Sequence, residues 1–371
     1  MSNFHLHAVR LPGGDRAEDW WIQDGQWSQT PVDDAHPLPG NYATAGLVDG
    51  HTHLSMDMGL FGLPDGSEAV IDANVQDKLR QGVTAVRDAG ALPEATVTAS
   101  SSDHITIIPT GKLISPPGHG YPRICTPVTE DGLIDFALRE IAQGNRWVKV
   151  IAEFPIDMSG GEMNHFASVP TYSFEALVRL CTAVHDKGAR LAMHTATAWA
   201  TRCVQAGADS IEHGPGLTPD ALAEMAQRGI AWVPTLTSVA GVCEFLVHAD
   251  VPPQVKAQAS GAMGNIRTLL PIAEKLGVTI MAGTDEHPGD FVGEVRKLHA
   301  YGLSARAALH AASGAARAFL GLPMWQVGAP ADVALFEDDP RESLDVLARP
   351  VTVVAKGRLV TQAVAQVAPG V

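Results

Sequence analysis

Short β-rich runs alternate with Ala-rich, helix-period segments through the middle of this 371-residue chain. That alternation predicts an α/β fold built on a parallel (β/α)8 barrel. Two further observations sharpen the reading. The Gly-x-Gly-x-x-Gly turn of a doubly wound open sheet is missing. Short polar–apolar alternations broken by Pro and Gly fill both ends, over 1–45 and 321–371, and each zone is too small for a core of its own. The two ends are therefore expected to pair as one small β-domain, leaving 46–320 for the barrel.

Eight strands are expected in the barrel zone, in order Gly46–Leu54, Val83–Asp88, His104–Thr110, Trp147–Ala152, Arg190–Thr195, Asp209–His213, Ile230–Thr235 and Val278–Thr284. Helices are expected between most of them. Phe174–Lys187 carries Leu177, Leu180 and Val184 at helical spacing and stops at Gly188. Thr218 and Pro219 read as a cap and first residue of a helix that Gly229 closes. Ser304 caps an Ala-rich stretch over Ala305–Leu320.

Composition narrows the function classes. The net charge of −15 speaks against nucleic acid or an anionic membrane surface as a partner. The four cysteines are scattered with no Cys-x-x-Cys pair, so neither a disulfide scaffold nor a thiolate zinc site is expected. The first residues lack a signal-peptide pattern, and no apolar run has the ~18 residues of a membrane span. The expectation is a cytoplasmic protein acting on a small molecule, as a homo-oligomer. What composition leaves unexplained is 15 histidines.

In a barrel of this kind, reacting groups sit at the C-terminal ends of strands. The first strand ends His51-Thr52-His53, and residues two apart on a strand share a face. Two neutral imidazoles at one point can begin a divalent metal site. With 15 histidines, roughly 0.6 such pairs arise by chance, so the pair needs partners to mean anything. His5-Leu6-His7 near the N-terminus is a second pair with no such support. Lys149 lies between Val148 and Val150 in an apolar strand, where burial would depress its pKa. A neutral amine can add carbon dioxide, giving an anionic carbamate able to bridge two metals. His194 and His213 end consecutive strands, and Asp285 follows Gly-Thr at the end of the last. A carboxylate there can bind metal and shuttle protons.

These residues, with their flanks GLVDGHTH, GVTAVRDAG, IEHG, GTD and GLPMWQVGAPADVALFEDDP, resemble the amidohydrolase superfamily along nearly the whole chain. Within it the sequence is most similar to imidazolonepropionase-like hydrolases and metal-dependent Xaa-Pro dipeptidases (prolidases), and SPPGHGYP is similar to a Gly-His-Gly loop of that group. The resemblance implies a distorted TIM (β/α)8 barrel with a small β-sandwich formed by both termini. It implies two divalent ions, commonly zinc, one held by His51, His53 and Asp285, the other by His194 and His213, with carboxylated Lys149 bridging them. True imidazolonepropionases lack the lysine, so Lys149 favours the dipeptidase-like branch. The implied reaction is hydrolysis of an amide, peptide or cyclic amide C–N bond by a hydroxide bridging the ions, with Asp285 as general acid and base. The absence of a Gly-x-Ser-x-Gly elbow agrees.

His119, Tyr121 and Arg123, in the loop after the third strand, are the candidate substrate contacts: His119 for the carbonyl or oxyanion, the other two for a carboxylate. The long stretch Phe154–Tyr172, with its Gly pair and His165, reads as a specificity loop or lid. Two alternatives stand beside this reading: a lactone or ester hydrolase on the same centre, and a non-catalytic amidohydrolase-like assembly protein.

Overall fold

A computed structural model of the chain describes residues 2–56, 66–120, 123–155, 168–285 and 289–362. Both ends of the chain enter one eight-stranded sheet. Its order is Arg358–Gln362, Thr352–Ala355, Val333–Phe336, Tyr42–Ala45, Phe4–Arg10, Ala17–Gln23 and Gln26–Ser28, with His36–Pro37 also pairing Phe4–Arg10. Strand alternation decides what is buried. Phe4, Leu6 and Ala8 turn inward while His7 faces solvent. Across the sheet Trp20 and Ile22 do the same, and Trp20, Trp27 and Trp325 cluster edge-on and tilted in that core.

The middle of the chain forms a curled parallel sheet in two runs. Leu47–Thr52, Val83–Asp88 and Thr106–Pro109 make one. Thr126–Pro127, Leu113–Ser115, Trp147–Ile151, Arg190–Thr195, Ser210–His213 and Ala231–Val233 make the other, in that order. A parallel bridge between Ala91 and Lys112 joins the runs on one side. On the other side, Trp232 N donates to Thr279 O, Met281 N to Trp232 O and Gly50 N to Ala282 O. The strands Val83–Asp88, Trp147–Ile151 and Ala231–Val233 are buried along their whole length, as in a sheet covered on both faces.

Two expectations need correction. The last strand, read as Val278–Thr284, is reduced to one bridge between Trp232 and Ile280; the Thr284 amide turns aside to Asp49 Oδ1 at 3.1 Å. The Ala305–Leu320 helix is two helices, Ala305–Ala311 and Gly314–Leu320. Ser313 breaks it by donating its hydroxyl to Ala45 O at 2.6 Å. The strand Leu113–Ser115 was not expected. Thr218 and Ser304 each accept from a backbone amide three residues on, as their sequence positions suggested, and Ser173 does the same without having been expected to.

Arg317 ties the two sheets together. It is 1% exposed and donates to Gly46 O, Pro323 O, Thr84 Oγ1 and Asp332 Oδ2, all at 2.7–2.8 Å. Removing one partner of a buried pair strands the other charge. Arg317→Met should therefore lower unfolding free energy by about 3–5 kcal/mol in urea titration, and Asp332→Leu added to it should recover part of the loss.

Candidate metal centre

The strand Leu47–Thr52 delivers His51 at its end and His53 one residue beyond it. His51 Nδ1 meets Glu212 Oε2 at 2.6 Å, and His53 Nδ1 meets the Gly90 carbonyl at 2.8 Å. A carbonyl or an ionised carboxylate can only accept, so each Nδ1 carries the proton. In the neutral ring, Nε2 then presents a lone pair. Yet both Nε2 atoms face the same oxygen, Asp285 Oδ1, at 3.2 and 3.1 Å. Three acceptors in contact require a proton or a cation among them. The donor atoms of His51, His53 and Asp285 lie within 4.8 Å of one another, and this nitrogen–nitrogen–carboxylate set suits a borderline divalent ion such as zinc.

The other expected ligands converge on the same place. Lys149 Nζ, on Trp147–Ile151, is 3.4 Å from His51 Nε2. The His213 ring lies 5.2 Å from that of His51 and 4.5 Å from that of His194, and its Nδ1 is 3.8 Å from Asp285 Oδ2. His213 Nδ1 also bonds Thr235 Oγ1 at 2.6 Å.

Burial and neighbouring charge set the protonation of the group. Burial, against the pull of Glu212 and Asp285, brings the Lys149 amine down to about 8. Burial pushes His213 down to about 3 and His194 well below its ordinary value, as neutral ligands require. Burial works against the Asp285 charge, but His51 and His53 hold it well below the usual carboxylate range. His53 is likewise penalised by burial, yet its bond to Asp285 carries it above its ordinary value.

Backbone strain collects here. His213 (φ 64°), Thr235 (φ 44°) and Asp285 (φ 51°) all adopt the left-handed conformation, at about 1–3 kcal/mol each. In a regular strand Glu212 and His213 would face opposite ways; this turn is compatible with both serving one cluster.

A layer of buried charge that sequence reading did not single out surrounds the ligands. Glu212 is buried, but Arg87 holds its Oε1 at 2.7 Å and keeps the carboxyl well below the usual carboxylate range. Lys78 Nζ pairs with Asp49 Oδ2 at 2.9 Å, and Asp49 accepts from the amides of His51 and Thr284. Asp88 accepts from Leu54 N and Gly90 N, fixing the loop that faces His53. Arg87 in TAVRDAG had the same signal as Lys149, a charge inside an apolar strand, and passed unnoticed.

Glu294 does a related task. Thr235 precedes the helix Leu236–His248, but its hydroxyl is engaged by His213 and does not cap it. The Glu294 carboxylate caps the helix instead, accepting from Leu236 N, Thr237 N and Thr237 Oγ1 at 2.8–2.9 Å. Ser238 on that turn donates to Asp285 Oδ2 at 3.1 Å. Glu153 accepts likewise from Ala196 N and Thr197 N in the loop after His194.

The expected substrate contacts are less well placed. His119 is half-buried, its Nδ1 3.3 Å from Pro117 O, and Arg123 is exposed with φ 66°. Among the described residues, no hydrogen bond or ring contact joins either to the cluster. Tyr121 and His165 lie outside the described residues, as does most of the Phe154–Tyr172 stretch. Its flanks are described: Glu153–Pro155 pairs antiparallel with Ser168–Pro170, and the Phe154 ring sits 5.9 Å from that of His194. His5 and His7 both face Asp19 Oδ1 at 2.9 Å on the exposed face of the terminal sheet, away from these ligands.

Burial raises Glu294 to about 7. A carboxyl that binds its proton more tightly when folded adds stability at low pH, and that stability is lost as pH rises through the folded pKa. Relative to Glu294→Gln, the protein should therefore lose about 3 kcal/mol of stability between pH 4.5 and 7.5. Paired denaturant titrations across that window check it; a constant difference would show that the carboxyl titrates normally.

A model of the amidohydrolase family matches residues 42–360. Relatives include uncharacterized proteins of Mycobacterium tuberculosis and Mycobacterium bovis, each 30% identical over 362 residues that cover 95% of both chains. The fold is similar to that of a Xaa-Pro dipeptidase with methionine bound in its active site, with TM-score 0.79 and 19% identity over 97% of this chain and 100% of that one. It is similar to A. niger ochratoxinase, with TM-score 0.80 and 18% identity over 98% and 96%. A prolidase complexed with N-methylphosphonate-L-proline gives TM-score 0.77 and 23% identity over 98% and 100%. Matched by the family model over most of its length and by relatives from end to end, this chain belongs to the amidohydrolase family.

Proposed function

We propose that this member of a hydrolase family is a metal-dependent enzyme that cleaves an amide, peptide or cyclic amide C–N bond in a small molecule. The observation that carries the reading is the meeting of the His51 and His53 Nε2 atoms with one Asp285 oxygen, with Lys149 Nζ 3.4 Å from His51 Nε2. The architecture that goes with it is a distorted TIM (β/α)8 barrel over 46–320. Residues 1–45 and 321–371 would form a small β-sandwich. The curled parallel sheet and the backbone bonds from Trp232 through Met281 to Gly50 support closure. The proposed setting is a cytoplasmic homo-oligomer. For location, the finding is that no helix among the described residues is long and apolar enough to cross a membrane.

His51, His53 and Asp285 would hold one zinc ion, and His194 and His213 a second. Lys149, as its carbamate, would supply an oxygen to each. Bound divalent ions acidify water and polarise a carbonyl. Asp285 accepts the proton of the attacking water at Oδ2, where the Ser238 hydroxyl steers it, and returns it to the leaving nitrogen. The low pKa of Asp285 keeps its carboxylate ionised. Glu294 and Thr235 fix the turn from which Ser238 and His213 are aimed.

Metal analysis of the purified protein should find two divalent ions per chain, and Lys149→Ala should hold fewer. A panel of dipeptides, N-acyl amino acids, cyclic amides and lactones identifies the bond. Asp285→Asn should lower kcat by about 10²–10⁴-fold, and chelation should abolish turnover until zinc is restored. Lactone cleavage without amide cleavage would shift the assignment to esters. Full metal loading with no turnover on the panel would leave an assembly role.

A further inference from the structure

We propose that Arg87 and Glu212 are a positioning pair that sets how tightly His51 holds its metal ion, while leaving the ion on His194 and His213 largely unaffected. The inference rests on the two-metal reading above and assigns a task to buried groups that the hydrolytic steps do not use.

Glu212 is fully buried, and both of its oxygens are engaged. Oε2 takes the His51 Nδ1 proton at 2.6 Å; Oε1 accepts from Arg87 Nη2 at 2.7 Å and Ser210 Oγ at 2.5 Å. Arg87 is itself fixed from three sides. Its Nε donates to Gly50 O at 2.7 Å, its Nη1 to Ser210 Oγ at 2.8 Å, and its guanidinium lies 4.8 Å over the Trp147 ring. The Gly50 bond reaches the residue next to His51. The pair therefore locks both the strand that presents the imidazole and the carboxylate that orients it.

Of the His51, His53 and His213 Nδ1 atoms, that of His51 is the one that meets a carboxylate within hydrogen-bond distance among the described residues. His53 gives its Nδ1 proton to a neutral carbonyl, and the His213 Nδ1 partner is a hydroxyl. An anionic acceptor behind an imidazole fixes its tautomer and strengthens Nε2 as a donor more than a neutral acceptor does. Arg87 keeps that anion in place at no cost in net charge. The hydrogen bond reaches the centre at His51, while Lys149 and His213 feel Glu212 only through space, so the larger effect belongs to the ion His51 binds.

The test is metal affinity, independent of turnover. Full-length protein is stripped, reloaded with zinc or cobalt(II), and titrated against a graded series of chelators, with metal counted per chain and the cobalt absorption spectrum recorded. Glu212→Gln should weaken one ion by about 10–100-fold, perturb the cobalt spectrum, and leave the affinity of the second ion within about threefold. Arg87→Lys, which keeps the charge but loses the fork, should weaken the same ion by a smaller factor and serves if Glu212→Gln does not fold. Wild-type protein with two ions and a Glu212→Gln form that holds both unchanged, or loses both equally, would overturn this proposal and leave the hydrolase reading standing. A wild-type protein that binds no divalent ion would overturn both.

Discussion

Three acceptor atoms in contact, two imidazole nitrogens and one carboxylate oxygen, are stable together only with positive charge between them. Much of the surrounding structure maintains that arrangement. Glu212 and the Gly90 carbonyl accept from His51 Nδ1 and His53 Nδ1, holding those protons away from the Nε2 atoms. Asp49, held by Lys78, fixes the amides of His51 and Thr284 on either side. Two pairs of opposite charge stand in this inner layer, Arg87 with Glu212 and Lys78 with Asp49, and neutralise each other. Added positive charge is needed at the cluster itself.

The same arrangement explains where the backbone leaves ordinary geometry. A flat strand alternates its side chains between faces, whereas this centre draws on adjacent residues and on turns just beyond strand ends. His213, Thr235 and Asp285 accept left-handed backbone to serve it. Each is then held by bonds that over-determine it: the His213 carbonyl by the Trp232 indole, the Thr235 turn by Glu294, and the Asp285 amide by His51 O. Local strain is thus set against a rigid surround, which is how a site keeps one geometry.

The α/β class, the order of strands and all six converging side chains were legible in the sequence. Strand ends carry chemistry at fixed places, and charged or imidazole residues stand out against apolar runs. What was not legible has physical causes. The final strand was read from its apolar run, but the Asp49 side chain competes for the Thr284 amide, and the ladder thins there. The split at Ser313 depends on a carbonyl 268 residues away. Glu212 was hidden because period-2 reasoning points it away from His213, and only a left-handed turn undoes that. His119 and Arg123 were placed by loop position alone, which says nothing of direction. The pairing of the chain's two ends was expected from their size; that Arg317 would anchor the resulting sheet was not.

The short antiparallel pairing of Glu153–Pro155 with Ser168–Pro170 brings the two ends of the intervening stretch side by side next to His194. Once ends are clasped, chain length between them matters little: doubling it costs only about 0.6 kcal/mol in closure entropy. Evolution can therefore lengthen, shorten or rewrite residues 156–167 while the ligands keep their places. Laboratory grafting enjoys the same freedom. The clasp separates this stretch of chain from the clustered side chains, and gives one scaffold room to diversify.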